Sequence, residues 1–149
     1  MRYTAIVTVM SPTTVLLYRR RADSFLRAAG DLATLESDVY APAIGLLSVH
    51  SCIALADAVL VAVEGRRSKA EDHAEAARRL RGWCSAKRLA DSGVKHFEWL
   101  LGQKNHFSYN DDLVKDEDLF FAKVKMEQFF AWAFQTFPGV AQITESTHA

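Results

Sequence analysis

The chain has 149 residues, a length that fits one domain of ordinary size and leaves little room for a second. Half of the residues are hydrophobic and 24% are charged, a balance that is typical of a globular protein and excludes a disordered one. The 18 basic and 18 acidic residues give a formal net charge of zero, which excludes a partner held by bulk charge, so any contact with a nucleic acid has to be local.

The start of the chain and its two cysteines both indicate the cellular compartment of the protein. The first ten residues hold an apolar stretch too short for a secretory signal and predict a loosely attached tail. Met10 would itself make a good first residue, so residues 1–9 are either an extended segment or no part of the natural protein. Cys52 and Cys84 lack the spacing of metal ligands and agree with a reducing compartment. We therefore expect a cytoplasmic protein.

The first predicted helix begins after Ser11. A serine can cap free backbone amides, and Pro12 suits the first helical position because its missing N–H is not needed there. The helix is predicted to run to about Ala29 and to end at Gly30, with residues 31–40 as a connection.

The second predicted helix, residues 41–63, is apolar on nearly all sides. Its only acid is Asp57 and its only histidine is His50. A membrane span is the alternative that its length raises. We reject that alternative because the stretch is rich in Ala, Ser and Gly and because an aspartate is unfavourable in lipid. The pattern instead predicts the buried centre of a helical bundle.

Two further helices follow. Ser68 and Glu71 have the spacing of a capping box, so a third helix is predicted to start there and to run to about Trp83. A fourth is predicted over about residues 86–106, with Leu89 in its inward apolar stripe.

The last predicted helix follows a polar turn at residues 107–114. Asp116 is expected to cap it, and it runs to about Thr136. It carries more apolar surface than one inward stripe needs, with Leu119, Phe120, Phe121, Val124, Met126, Phe129, Phe130, Trp132 and Phe134. Either the helix is deeply buried, or it also contacts a second subunit.

The whole pattern predicts an all-α fold, an antiparallel bundle of four to five helices. We assign the domain to residues 11–137, with an N-terminal tail at 1–10 and a C-terminal tail at 138–149.

The polar residues of the second helix are the most informative local feature, because a buried carboxylate or imidazole needs a partner. His50 and Asp57 are two helical turns apart and can face the same neighbour. We expect them to point toward Asp72 and His73, at the start of the third helix, or toward residues 104–105. The alternative is that both are satisfied within the core and have only a structural role.

The sequence resembles the HEPN family, the small helical bundles named for higher eukaryote and prokaryote nucleotide-binding proteins. The resemblance runs from about Tyr18 to Phe137. It is carried by Tyr18-Arg19-Arg20-Arg21-Ala22-Asp23-Ser24-Phe25-Leu26, Ser48-Val49-His50-Ser51, Ala56-Asp57-Ala58, the link from Gly65 to His73, Leu100-Leu101-Gly102-Gln103-Lys104-Asn105 and the final aromatic helix.

This resemblance implies a site and its chemistry. Active members are metal-independent ribonucleases, often toxins or antiphage effectors, with an Arg, a following polar residue and a His four to six positions later, and two sites commonly meet across a homodimer. The matching positions here are Lys104, Asn105, and Tyr109 or Asn110. Lysine lacks the planar guanidinium with which an arginine binds a phosphate through two hydrogen bonds, and a tyrosine hydroxyl is a poor base at neutral pH. His106 lies only two positions after Lys104, which is too close to occupy the family's His position, but it is near enough in sequence to reach the same cleft.

Three functions are consistent with these residues. The first is a HEPN-like homodimer, non-catalytic or weakly catalytic, that binds RNA, a nucleotide or a cognate partner protein through residues 104–109 with His50, Asp57, Asp72 and His73. The second is an active metal-independent RNA endonuclease that uses Lys104, Asn105, and His106 or Tyr109. The third is a metal-binding bundle with His50, Asp57, Asp72 and His73 as the ligands. We expect no cofactor and no membrane association.

Overall fold

The computed structural model describes residues 9–69, 71–109 and 111–144, and these residues form an all-α bundle. Within those ranges there is no β-strand. The helices are α1 (Pro12–Ala33), α2 (Ala41–Glu64), α3 (His73–Ala86), α4 (Val94–Ser108), α5 (Asp116–Thr136) and the short α6 (Pro138–Ala141), with one 3-10 turn at Asp38–Tyr40. The predicted fold class is confirmed.

The centre of the bundle is α2, which contacts α1, α3, α4 and α5. Every residue of 51–62 is buried. In the described part of the chain it is the one helix long and apolar enough to cross a membrane, but 78% of its most apolar window is buried inside the protein. The apolar surface of α2 is therefore covered by the other helices, which is consistent with a soluble domain.

The first helix begins where predicted but ends later, and its N-terminal cap differs. Gly30 lies inside α1, on an exposed side with nothing within 4 Å of an added Cβ, and the helix continues to Ala33. A glycine weakens a helix by only about 1 kcal/mol, so it does not have to end one. Pro12 is the first helical residue as predicted, but the side chain of Ser11 makes no capping hydrogen bond.

The predicted capping box at Ser68 and Glu71 is wrong. The N-cap of α3 is Asp72, whose side chain accepts a hydrogen bond from the N–H of Glu75 at 3.0 Å. Ser68 instead donates to the buried carboxylate of Asp57. A buried carboxylate needs donors more than an exposed helix start needs a cap, so the serine is used inside the protein.

The connection between α3 and α4 is longer than predicted. The third helix continues to Ala86, but α4 begins only at Val94, eight residues after the predicted start. Gly93 lies directly against Trp132, and an added Cβ would be 2.1 Å from the indole Cγ. Leu89, expected in the inward stripe, is in the connection and 36% exposed.

The predicted turn at residues 107–114 is partly helical, because Phe107 and Ser108 belong to α4. The helix α5 begins at Asp116, but its N-cap is Lys115. The carboxylate of Asp118 accepts a hydrogen bond from the N–H of Lys115 at 2.9 Å and so satisfies this helix end.

The apolar excess of α5 is divided between core and surface. Phe129 and Phe130 are buried, while Phe120 is 62% exposed and Phe121 is 42% exposed. The first explanation, deep burial, therefore accounts for the second half of α5 and leaves the two phenylalanines near its start unexplained.

The folded region extends past both expected boundaries. Val140 and Ile143 are buried, so the chain beyond residue 137 is part of the core. Arg19 Nη1 donates to two backbone carbonyls of α6, each at 2.8 Å. At the other end, the N–H of Met10 donates to the carbonyl of Ala62 at 2.9 Å. The rest of the two predicted tails, residues 1–8 and 145–149, lies outside the described residues.

Candidate functional site

Three polar side chains from three helices lie close enough to interact electrostatically. His50 is on α2, His73 is the first residue of α3, and Lys104 is near the end of α4. The charge of Lys104 lowers the pKa of both histidines, and His73 also lowers the pKa of His50. We call these three residues the basic cluster. The sequence predicted that His50 and Asp57 point toward Asp72 and His73 or toward residues 104–105. His50 lies within electrostatic range of both His73 and Lys104, whereas Asp57 is bonded to Ser68 in the loop before α3.

His50 is half-buried, and its imidazole is held in the neutral form. Burial is the main reason that its pKa is lowered, because an imidazolium loses hydration there, and Lys104 and His73 add repulsion. Its ring packs against that of Phe25 on α1, with the centroids 6.0 Å apart. The ring is thus positioned by packing.

His73 is also half-buried, with a lowered pKa. Burial is again the largest cause, followed by Lys104, while Asp57 and Asp72 act in the opposite direction and Arg67 adds a smaller repulsion. Its Nδ1 atom is buried and has no hydrogen-bond partner. Buried polar atoms usually have partners, so this nitrogen is an exception that needs an explanation.

Lys104 is half-buried, and no acidic side chain of the described residues pairs with it. A lysine in a partly buried position normally has a carboxylate nearby or reaches into water. Here its electrostatic neighbours are two neutral imidazoles. The basic cluster therefore has one positive charge that no carboxylate compensates by direct contact.

Asp57 and Asp72 have structural partners. Asp57 Oδ1 accepts hydrogen bonds from the N–H and the Oγ of Ser68, at 2.9 and 2.6 Å, and Asp72 caps α3. Both carboxylates act on His73 at a distance. Their direct contacts fix the loop and the helix start that carry His73.

The loop between α2 and α3 is held by a second set of contacts, centred on Arg79. Its guanidinium donates to the carbonyls of Arg66 and Arg67, at 2.7 and 2.9 Å, and to Glu64 Oε1 at 2.9 Å. Arg67 in turn donates to the carbonyl of Ser68 at 3.0 Å. The loop that leads to His73 is thus tied to both adjoining helices.

The other residues predicted for catalysis do not join the basic cluster. His106 Nε2 lies 3.1 Å from Asp118 Oδ2 at the start of α5. It is two positions after Lys104 on the same helix, about 200° around the axis, so the two side chains leave α4 on opposite sides. Asn105 is exposed, and Tyr109, the C-cap of α4, is 80% exposed. Asn110 lies outside the described residues.

The metal alternative lacks a ligand set in the part of the chain that the structure describes. No three side chains of His, Cys, Asp or Glu converge there as a metal ion requires. Asp57 is committed to Ser68 and Asp72 to the start of α3, which explains why the four proposed ligands do not form one.

No protein-family model, curated protein or solved structure matches this chain. The resemblance to the HEPN family therefore rests on the residue pattern alone.

The basic cluster is suited to an anion that also accepts and donates hydrogen bonds. An ammonium supplies charge, and the neutral ring of His50 supplies one N–H donor and one acceptor nitrogen. His73, whose Nδ1 is buried, offers only its other ring nitrogen. Sequence reasoning found all three residues but missed Phe25 and Asp118, which orient His50 and His106. No local pattern identifies these two, because each contacts its histidine only after the helices pack.

Proposed function

We propose that this protein is a HEPN-like homodimer that binds RNA or a nucleotide at the basic cluster, with little or no catalytic activity. The observation that carries the proposal is the position of Lys104, a half-buried cation within electrostatic range of two neutral imidazoles and without a carboxylate partner among the described residues. A phosphate group supplies the negative charge that this arrangement lacks.

Weak or absent catalysis follows from the surroundings of the segment that corresponds to the family motif. His106 is engaged by Asp118, and Tyr109 projects into solvent. Neither side chain shares a cleft with Lys104, so the cation and a general base from this segment do not act on the same phosphate.

The homodimer is supported by the two exposed phenylalanines of α5. Phe120 and Phe121 are adjacent, and their rings contact each other with centroids 5.7 Å apart. They lie at the same end of α5 as Asp118, beside the end of α4. Because they lie beside the end of α4, a two-fold dimer through these phenylalanines would bring the two α4 ends toward each other. Sedimentation equilibrium of the wild type and of Phe120→Ser tests this part, and a wild-type protein that is monomeric at all concentrations contradicts it.

Binding is tested with a short single-stranded RNA and, separately, with adenosine monophosphate, by isothermal titration calorimetry at pH 7. Lys104→Ala is expected to lower the affinity about tenfold or more, because a charge-assisted hydrogen bond contributes about 1.5–3 kcal/mol. Lys95→Ala is the matched control, since Lys95 is exposed on α4 and lies nine residues away, on the opposite side of the helix. Equal losses in the two variants, or no binding by the wild type, reject the proposal.

A second candidate function is a metal-independent RNA endonuclease centred on the basic cluster. It is favoured by one observation: the pKa of His50 is lowered by burial and by Lys104, so at pH 7 its imidazole is free to accept a proton. Incubation of the dimer with total RNA in excess EDTA distinguishes the two functions. Cleavage that is lost in both Lys104→Ala and His50→Gln supports the endonuclease, and intact RNA supports the binding protein.

A further inference from the structure

The two histidines of the basic cluster differ in how their ring nitrogens are placed. In the described part of the chain, buried ring nitrogens without a partner occur in His73 and His96, and His50 is not among them. An N–H buried at Nδ1 of His73 would have no acceptor, at a cost of about 1–3 kcal/mol. The neutral ring therefore carries its proton on Nε2, an assignment that follows from burial and not from observed hydrogens.

His73 is thus restricted to one role, as a donor through Nε2–H. Adding a second proton would create the unsatisfied N–H at Nδ1 and a cation close to Lys104 of α4 and Arg67 of the preceding loop. Asp57 and Asp72 attract such a proton, but Asp57 is bonded to Ser68, and Asp72 is bonded to the N–H of Glu75 and forms an ion pair with the guanidinium of Arg78 at 3.6 Å. Burial and the two cations outweigh them, so the pKa of His73 is lowered.

His50 has surroundings that permit a change of charge. The groups that face it are Lys104 of α4, His73 of α3 and the uncharged ring of Phe25 of α1. Among the described residues no carboxylate contributes to its electrostatics. Protonation of His50 is therefore opposed by burial and by the charge of Lys104. An anion bound between His50 and Lys104 would offset the repulsion from Lys104.

We propose that one phosphate group binds between Lys104, the Nε2–H of His73 and His50, and that His50 takes up one proton when it binds. The inference rests on the proposed function and adds the ligand group, the role of each side chain and a regulation by pH. A phosphodiester keeps a single negative charge across the neutral range, so the bound anion favours the imidazolium of His50. By linkage, acidification must then strengthen binding.

The test measures the affinity of the full chain for an oligouridylate without terminal phosphates, by fluorescence anisotropy between pH 8 and pH 5.5 at constant ionic strength. Neither uracil nor a phosphodiester titrates in this range. The fluorescent label is a rhodamine, because its emission is also independent of pH there. Uptake of one proton predicts that affinity rises by up to about tenfold for each unit that the pH falls.

Three variants separate the roles. His50→Gln keeps a neutral hydrogen-bonding side chain and is expected to make binding independent of pH. His73→Gln is expected to weaken binding by a similar factor at every pH and to keep the slope. His96→Gln is the matched control, since His96 has the same buried Nδ1 but lies outside the basic cluster, and it should preserve both affinity and slope. Circular dichroism establishes that each variant is folded.

The possible results are distinct. Binding by the wild type without a pH slope, or a slope that persists in His50→Gln, overturns the inference and leaves the proposed function standing. No binding at any pH rejects the proposed function and the inference with it. A measurement without ligand adds a second test: long-range ¹H–¹⁵N NMR of the histidine rings should find His73 as the Nε2–H tautomer, and an Nδ1–H tautomer contradicts the assignment.

Discussion

Asp57 and Ser68 form the contact that joins the core helix to the loop before α3. Asp57 Oδ1 accepts the N–H of Ser68 at 2.9 Å and its hydroxyl at 2.6 Å, and both residues are buried. The chain continues from Ser68 to His73 in five residues, so this contact limits where His73 can lie relative to α2. The carboxylate that is most costly to bury in α2 therefore has a clear structural use.

Removing that carboxylate should destabilise the protein. Asp57→Ala leaves the N–H and the hydroxyl of Ser68 buried without an acceptor, and we expect the free energy of unfolding to fall by about 2–5 kcal/mol. Ser68→Ala keeps one of the two hydrogen bonds and should lower it by about 1–2 kcal/mol. Urea denaturation followed by circular dichroism measures both. Asp112→Ala, at an exposed position in the loop before α5, is the control, and a loss as large as that of Asp57→Ala would contradict this account.

Gly45 on α2 should not tolerate even a methyl group. An added Cβ would lie 2.3 Å from Phe107 Cδ1, so Gly45→Ala forces the ring of Phe107 or the two helices apart. We expect a loss of about 1–3 kcal/mol, which is typical of an overpacked core, measured as a lower urea midpoint. Adding Phe107→Leu to the Gly45→Ala protein should restore part of the lost stability.

Gly102→Ala is the matched control for this change. Gly102 lies on α4, the helix that carries Phe107, with nothing within 4 Å of an added Cβ. The substitution should stabilise the protein by about 0.5–1 kcal/mol through helix propensity alone. If both glycine variants changed stability in the same direction, the close contact would not be the cause.

Stability should fall as the pH drops from 7.5 to 5.5. The pKa values of His50, His73 and His96 are lowered in the folded protein, each mainly by burial. The unfolded state therefore binds more protons, so the stabilisation is complete above about pH 6.5 and is lost as the pH falls from there through the folded pKa values. Each histidine contributes at most about 1.4 kcal/mol per pH unit in this window.

Urea denaturation at several pH values measures that slope, and His96→Gln should reduce it without affecting the basic cluster. The carboxylate of Asp118 does not interfere. Its pKa is lowered, first by the N–H of Lys115 and then by His106, so its contribution is present above its ordinary value near 3.8 and is lost only at lower pH. A stability that is constant between pH 7.5 and 5.5 would contradict the burial of the three imidazoles.

The chain beyond Phe137 should be necessary for full stability. A protein that ends at residue 137 loses the buried side chains of Val140 and Ile143, each contributing about 1.5–3 kcal/mol, and the two hydrogen bonds from Arg19. We expect thermal unfolding at a clearly lower temperature than for a protein that ends at Thr144. Equal melting temperatures would contradict this and would support the domain boundary at residue 137 that the sequence predicted.

The site was only partly predictable, and the individual residues show why. Helical spacing indicated that His50 faces the start of α3 or the end of α4, and the structure agrees because the 3.6-residue period fixes which face a side chain occupies. The same period, applied to Lys104 and His106, separates them on α4, but the family pattern suggested a shared cleft. Only the position of Asp118 in space decides which helix His106 contacts.

The sequence by itself determined that α2 is the core helix, because a segment of that length with a single acid has to be covered by other helices. In the structure this helix ends one residue later than predicted, at Glu64, and its C-cap Gly65 has a φ of 80° that suits glycine. The tertiary structure alone decided how Asp57 and Ser68 are used. The sequence marked the first as an unpaired acid and the second as a helix cap, whereas packing makes them partners. Local patterns cannot reveal such a choice, since it depends on which buried polar group would otherwise lose its hydration.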